Sequence, residues 1–184
     1  MRRPMRFLGV AAVFAVLSLA SGCGDDGDNG GDGTSGTGTT SSASGSGTYM
    51  VLPGVTSEFQ FNQSLVQCKI ERAVQPDGTI LEMHMFSESV DSVSIDSQAK
   101  TVTITGSMVS IVTLRYPNGT TDNLTETVPY TAVAQDKGSP GAGVDTFALT
   151  VVYVDTPGLD QFDLFGGSPA TFSGTLATGE ITIT

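Results

Sequence analysis

From Phe59 onward the apolar residues of this chain fall at every second position, and that spacing restricts the fold more than any other feature. Phe59 and Phe61 open the pattern, followed by Val66, Cys68 and Ile70, then by Leu81, Met83 and Met85. The polar residues Gln60, Gln67, Lys69, Glu82 and His84 lie between them. Successive side chains of a strand point to opposite faces, so each run predicts a strand with one buried and one wet face. The alternation resumes at Val93 and Ile95, at Val102 and Ile104, from Val109 to Tyr116, from Thr125 to Ala134 and from Phe147 to Tyr153. It closes with Thr171 to Leu176 and Ile181 to Thr184. No stretch of this region carries a helical stripe. Nine or so short strands rich in Thr, Val and Ile predict an all-β domain, a single antiparallel β-sandwich or a small β-barrel. Turn residues separate them at Gln75-Pro76-Asp77-Gly78, Asp96-Ser97-Gln98-Ala99 and Pro117-Asn118-Gly119, where Pro presets φ and Gly accepts a positive one.

By length, residues 49–184 form one domain, large enough to bury about two-thirds of its unfolded surface without disulfide staples. The two cysteines, Cys23 and Cys68, support that reading. Cys68 shares a strand face with Val66 and Ile70 and reads as a small buried hydrophobe. A nucleophilic thiol needs a histidine or cationic surroundings, and the one histidine, His84, falls on another segment, phased outward.

Ahead of the domain, the chain changes character twice. Met1 to Arg6 carries Arg2, Arg3 and Arg6 with no acid, and Phe7 to Ala20 is an apolar run too short to be a good membrane span. A basic head on a short apolar body is an export signal, here residues 1–22. Ala20-Ser21-Gly22-Cys23 then resembles the lipobox of bacterial lipoprotein signals. That resemblance implies cleavage before Cys23 and acylation of Cys23, a covalent lipid anchoring the chain to a membrane. Gly24 in place of an acidic residue implies, by the same similarity, the outer membrane of the cell envelope. More than one acyl chain makes such an anchor stable.

Residues 23–48 are dominated by Gly, Ser and Thr, with Asp25, Asp26, Asp28 and Asp32 near the start and nothing apolar larger than Ala43. Such a composition predicts a flexible linker spanning about 28 Å. The run from Asp26 to Gly33 lacks the spacing and closing Glu of a calcium loop and reads as an acidic spacer.

The stretch from Tyr130 to Leu149 contains Asp136-Lys137-Gly138-Ser139-Pro140-Gly141 and then Asp145-Thr146-Phe147. With Met83 to Val93, Lys100 to Gly106 and Phe172 to Leu176, it resembles the β-rich post-choice-of-anchor domains of secreted bacterial proteins. Thr178-Gly179-Glu180 and Thr184 stand where that family has Gly-Gly and a closing His, so no role of that histidine carries over. The resemblance implies a β-rich fold and no defined activity.

Asp136 and Asp145 bracket the loop Lys137 to Val144. Paired carboxylates of this kind either take calcium or accept backbone N–H groups in their own turns, and the second is the favoured reading. The irregular segment from Asp155 to Ser168 carries Leu159, Phe162, Leu164 and Phe165, which either plug an open end of the fold or form a partner patch. Asn118-Gly119-Thr120 and Asn123-Leu124-Thr125 match glycosylation sequons but read as turn chemistry. No Gly-x-Ser-x-Gly, His-Glu-x-x-His, Cys-x-x-Cys or phosphate loop occurs.

Loss of Arg2, Arg3 and Arg6 with the signal leaves five basic residues against 19 acidic ones, a net charge of −14. That charge repels nucleic acid and anionic surfaces. The sequence therefore points to a lipid-anchored, non-catalytic envelope protein displaying a β-domain with a structural or interaction role and a protein or glycan partner. The alternative is a domain that holds a small apolar ligand or glycan.

Overall fold

The computed structural model describes residues 41–153 and 168–184. Among them the chain forms nine strands: β1 (Ala43–Leu52), β2 (Val55–Asn62), β3 (Leu65–Val74), β4 (Ile80–Ser87), β5 (Ser92–Asp96), β6 (Thr101–Arg115), β7 (Thr121–Gln135), β8 (Thr146–Val151) and β9 (Ala170–Ile183). Every pairing is antiparallel. The ring runs β4, β3, β2, β1, β9, β8, β7, β6 and returns to β4, closing an eight-stranded barrel with β5 as an extra strand. Closure removes the sheet edges that an open meander would leave unpaired.

β6 explains the ninth strand. Its upper half, Met108 to Arg115, pairs with β4, and its lower half, Thr101 to Thr105, pairs with β5. β4 and β5 thus run in line along one partner, broken by Glu88 to Asp91. Glu88 N and Ser89 N both donate to Ser107 O, at 2.9 and 3.1 Å, so the break is stitched to β6. Gly106 lies under it, where a Cβ would strike the Ser89 carbonyl.

The alternation of the sequence becomes the inside and outside of the barrel. Val55, Ser57, Phe59 and Phe61 of β2 are buried while their neighbours are exposed, and β6 buries Val102, Ile104, Met108, Ser110, Val112 and Leu114. An eight-stranded barrel is just wide enough for side chains to fill. Rings occupy much of this one: Phe59 stacks on Phe147 at 4.2 Å between centroids, and Tyr49 and Phe61 meet the same ring at 5.8 and 6.0 Å. On the wet side, register sets Ser92, Thr105, Thr131, Thr150 and Thr171 in one transverse row across five strands. Ser92 bonds Thr105 and Thr150 bonds Thr171.

Three strand limits differ from the sequence reading. Val102 to Ile104 and Val109 to Arg115 belong to one strand, as do Thr171 to Leu176 and Ile181 to Ile183. The larger correction is at the linker: β1 begins at Ala43, six residues inside the stretch read as flexible tether. Its glycines are there because nothing larger fits. A Cβ on Gly45 would lie 2.7 Å from the Phe61 ring, and one on Gly47 would collide with the Thr178 carbonyl. Ala43, Gly45 and Gly47 keep the inner face of β1 low so that Phe61 and Ile181 can fill the space above it.

Candidate functional site

Asp136 and Asp145 mark the seam where β9 outruns its partner. β8 pairs with β9 only from Ala170 to Thr175, so on that side the lower half of β9 faces no strand. The β7–β8 loop takes the strand's place. Gly143 N donates to Leu176 O at 2.6 Å and Leu176 N to Asp145 O at 2.9 Å. Ile181 N then donates to Asp145 Oδ2 at 2.9 Å, and Ile183 N to Asp136 Oδ2 at 3.2 Å. The other oxygens serve the loop itself: Lys137 N donates to Asp145 Oδ1 at 2.8 Å and Gly138 N to Asp136 Oδ1 at 3.0 Å. Asp145 is fully buried. All four carboxylate oxygens therefore meet amide donors, two within the loop and two on β9. Lys100, which reaches a left-handed φ of 51°, adds its ammonium to Ile183 O at 2.6 Å.

Cys68 lies inside the barrel, 2% exposed. Ser57 Oγ and Cys68 Sγ share a hydrogen bond of 3.0 Å, and the Tyr49 hydroxyl lies 3.7 Å from the sulfur and donates to Phe172 O at 3.3 Å. Burial pushes the Cys68 thiol up, beyond what its hydrogen bonds with Ser57 and Tyr49 recover. A protonated, bonded, inaccessible thiol is a packing residue with a satisfied donor. Nearby, Tyr153 donates to Met83 Sδ at 3.7 Å and shares a bond of 3.1 Å with Ser110; burial pushes its phenol up to about 12.

The sequence reading missed a groove on the outer wall. Register sets Lys69, His84 and Ile111 side by side on β3, β4 and β6, with Glu82 opposite Thr113 one step away. Lys69, Glu71, Glu82, His84, Ile111 and Thr113, with Ile70 and Met83, line a space of about 480 Å³. Two ion pairs flank it: Lys69 to Glu71 at 2.7 Å, and Arg115 to Glu82 through two bonds of 3.1 Å. His84 is half-buried, and its ring makes no hydrogen bond among the described residues. Partial burial, followed by the Lys69 charge, holds its imidazole below the usual histidine range and outweighs Glu71 and Glu58. The groove thus presents an imidazole whose nitrogens have no partner among the described residues. Phe86, 39% exposed, continues the same face two residues along β4.

Leu159, Phe162, Leu164 and Phe165 lie outside the described residues. Of the two sequons, only the first forms a turn: Asn118 Oδ1 accepts Thr120 N at 2.9 Å, whereas Asn123 lies on β7, where its Oδ1 accepts the hydroxyl of its cross-strand partner Thr113 at 2.9 Å. Among the described residues no three His, Cys, Asp or Glu side chains gather as a metal site would require, and no helix is long and apolar enough to cross a membrane. No protein-family model, curated protein or solved structure matches the chain.

Proposed function

We propose that this chain is a lipid-anchored protein of the cell envelope, held through acylated Cys23, that displays a non-catalytic β-barrel as a structural or interaction module. The observation that carries the reading is the filled interior. Where a ligand-carrying barrel keeps a cavity, this one holds the stacked rings of Phe59 and Phe147, and the polar groups beside them bond to one another. That packing favours recognition on the outer wall over storage inside.

The way the chain joins the barrel fits display on a tether. Ser42 N donates to Thr184 O at 3.3 Å, Thr184 N returns a bond to Ser42 O at 2.9 Å, and the two side-chain hydroxyls meet at 2.8 Å. The start of β1 is therefore clamped to the end of β9. We read the outer membrane as the destination from Gly24.

Growing the source cells with an alkyne-tagged fatty acid tests the anchor. Label should enter the protein, disappear in Cys23→Ala, and co-fractionate with outer-membrane vesicles. Unlabelled protein with a free thiol at residue 23, recovered from the medium, would overturn the assignment.

A further inference from the structure

We infer that the groove around His84 is a binding site for a neutral, hydroxyl-rich ligand, an uncharged oligosaccharide, held on the outside of the barrel. The inference concerns the wall of the domain and stands whether or not Cys23 is acylated.

The charge balance of the groove comes first. Lys69 is matched by Glu71 and Arg115 by Glu82, so both cations are already paired and neither awaits a phosphate or carboxylate. Glu58, opposite Lys69 in the register, leaves the surroundings slightly acidic, and the whole chain is acidic as well. An anionic ligand is therefore repelled, and a cationic one finds its carboxylates engaged. A ligand without charge meets neither obstacle.

The polar groups come second. His84 offers two ring nitrogens with no partner among the described residues, Thr113 offers a hydroxyl, and the glutamate oxygens can accept further bonds. Next to them Gln67 Nε2 donates to Gln60 Oε1 at 2.7 Å, a planar amide pair on the same wall. Such donors and acceptors at fixed spacing match the hydroxyls of a sugar, each of which both gives and takes a hydrogen bond.

The apolar surface comes third. Ile111 forms one side of the groove, and the exposed ring of Phe86 stands beyond His84 with Val109 opposite it in the register. A sugar ring is polar at its rim and carries C–H groups on its faces, so it needs a partly apolar platform beside hydrogen-bonding groups. The volume of about 480 Å³ lies in the range of small-molecule clefts, and its strands are paired on both sides, so the site is preformed.

The test is titration calorimetry of the full 184-residue chain with maltohexaose, cellohexaose, xylohexaose and mannohexaose, with oligogalacturonate as the anionic control. At least one neutral hexasaccharide should bind at up to millimolar concentration. His84→Ala and Phe86→Ala should each weaken that binding by about tenfold or more. Both side chains point outward, so the melting temperature of each variant should stay near that of the parent, separating lost recognition from lost folding. Three results would overturn the inference: no heat with any of the four neutral sugars, binding unchanged in both variants, or preference for oligogalacturonate. A failed acylation experiment leaves these results untouched.

Discussion

Asp145 and Ile181 are 36 residues apart in sequence and joined at 2.9 Å across the seam of the barrel, carboxylate oxygen to backbone N–H. With its second oxygen on Lys137 N, one side chain holds both the loop and the strand that the loop replaces. The carboxylate is fully buried, so neither bond can be exchanged for water.

Removing that side chain should therefore be expensive. Asp145→Ala leaves the Ile181 and Lys137 amides without acceptors in a dry site, and a loss of about 3 kcal/mol is expected. Asp145→Asn should lose a comparable amount, because its amide NH₂ must face one of two donors. Asp136→Ala, at a partly exposed position, should lose about 1 kcal/mol. Urea unfolding of the three variants checks the order.

The barrel should be sensitive to alkali. Burial raises Cys68, Tyr49 and Tyr153 above their ordinary values, because each would have to ionise away from water. Below about pH 8 these groups are protonated in both states and the full stability is present. As pH rises past the unfolded-state values, about 8.5 for the thiol and 10 for the phenols, the unfolded chain releases protons that the folded one retains. Stability should then fall by about 1.4 kcal/mol per pH unit for each such group, continuing until the folded values are reached. Cys68→Ala should move the onset up to the tyrosine range. Denaturant titrations between pH 7 and 11 measure it, and a flat profile would contradict the burial argument.

Most of the barrel was legible because alternation is a local signal and eight of the nine strands carry it. The seam was half legible. Asp136 and Asp145 stand out as a bracketed pair, but the groups they meet at Ile181 and Ile183 are backbone N–H donors, which no residue type marks in sequence. The groove was less legible still. The outward phase of His84 can be read from β4 alone, whereas Lys69 and Ile111 reach it only through strand register. β1 was hidden by composition, since a strand whose inner face must be Gly or Ala looks like a linker.

The glycines of β1 supply a sharper check on that last point. At Gly47 a Cβ would meet the Thr178 carbonyl and the Gly179 Cα, both backbone, so neither can rotate aside. Gly47→Ala should lose about 3 kcal/mol through overpacking. At Gly54, in the β1–β2 turn, the space is open and only the φ of 80° resists a side chain. Gly54→Ala should lose about 1 kcal/mol. Were residues 43–48 a tether, the order of the two would reverse.

Truncation tests the same strand as a whole. A chain starting at Ser41 keeps every bond between β1 and its neighbours, including the Ser42–Thr184 clamp and the contact from Gln63 Nε2 to Ser41 O at 2.9 Å. A chain starting at Tyr49, where the composition changes, discards the pairs from Ala43–Ile183 to Thr48–Thr178 and most of those with β2. β9 would then have no strand along its lower half on either side, only the loop held by Asp136 and Asp145. Phe61 and Ile181 would also lose the wall that covers them. The Ser41 chain should unfold cooperatively near the midpoint of the full-length protein. The Tyr49 chain should show no native transition by near-ultraviolet circular dichroism. Equal midpoints would mean that β1 adds nothing below Tyr49 and that the barrel does not depend on closure there.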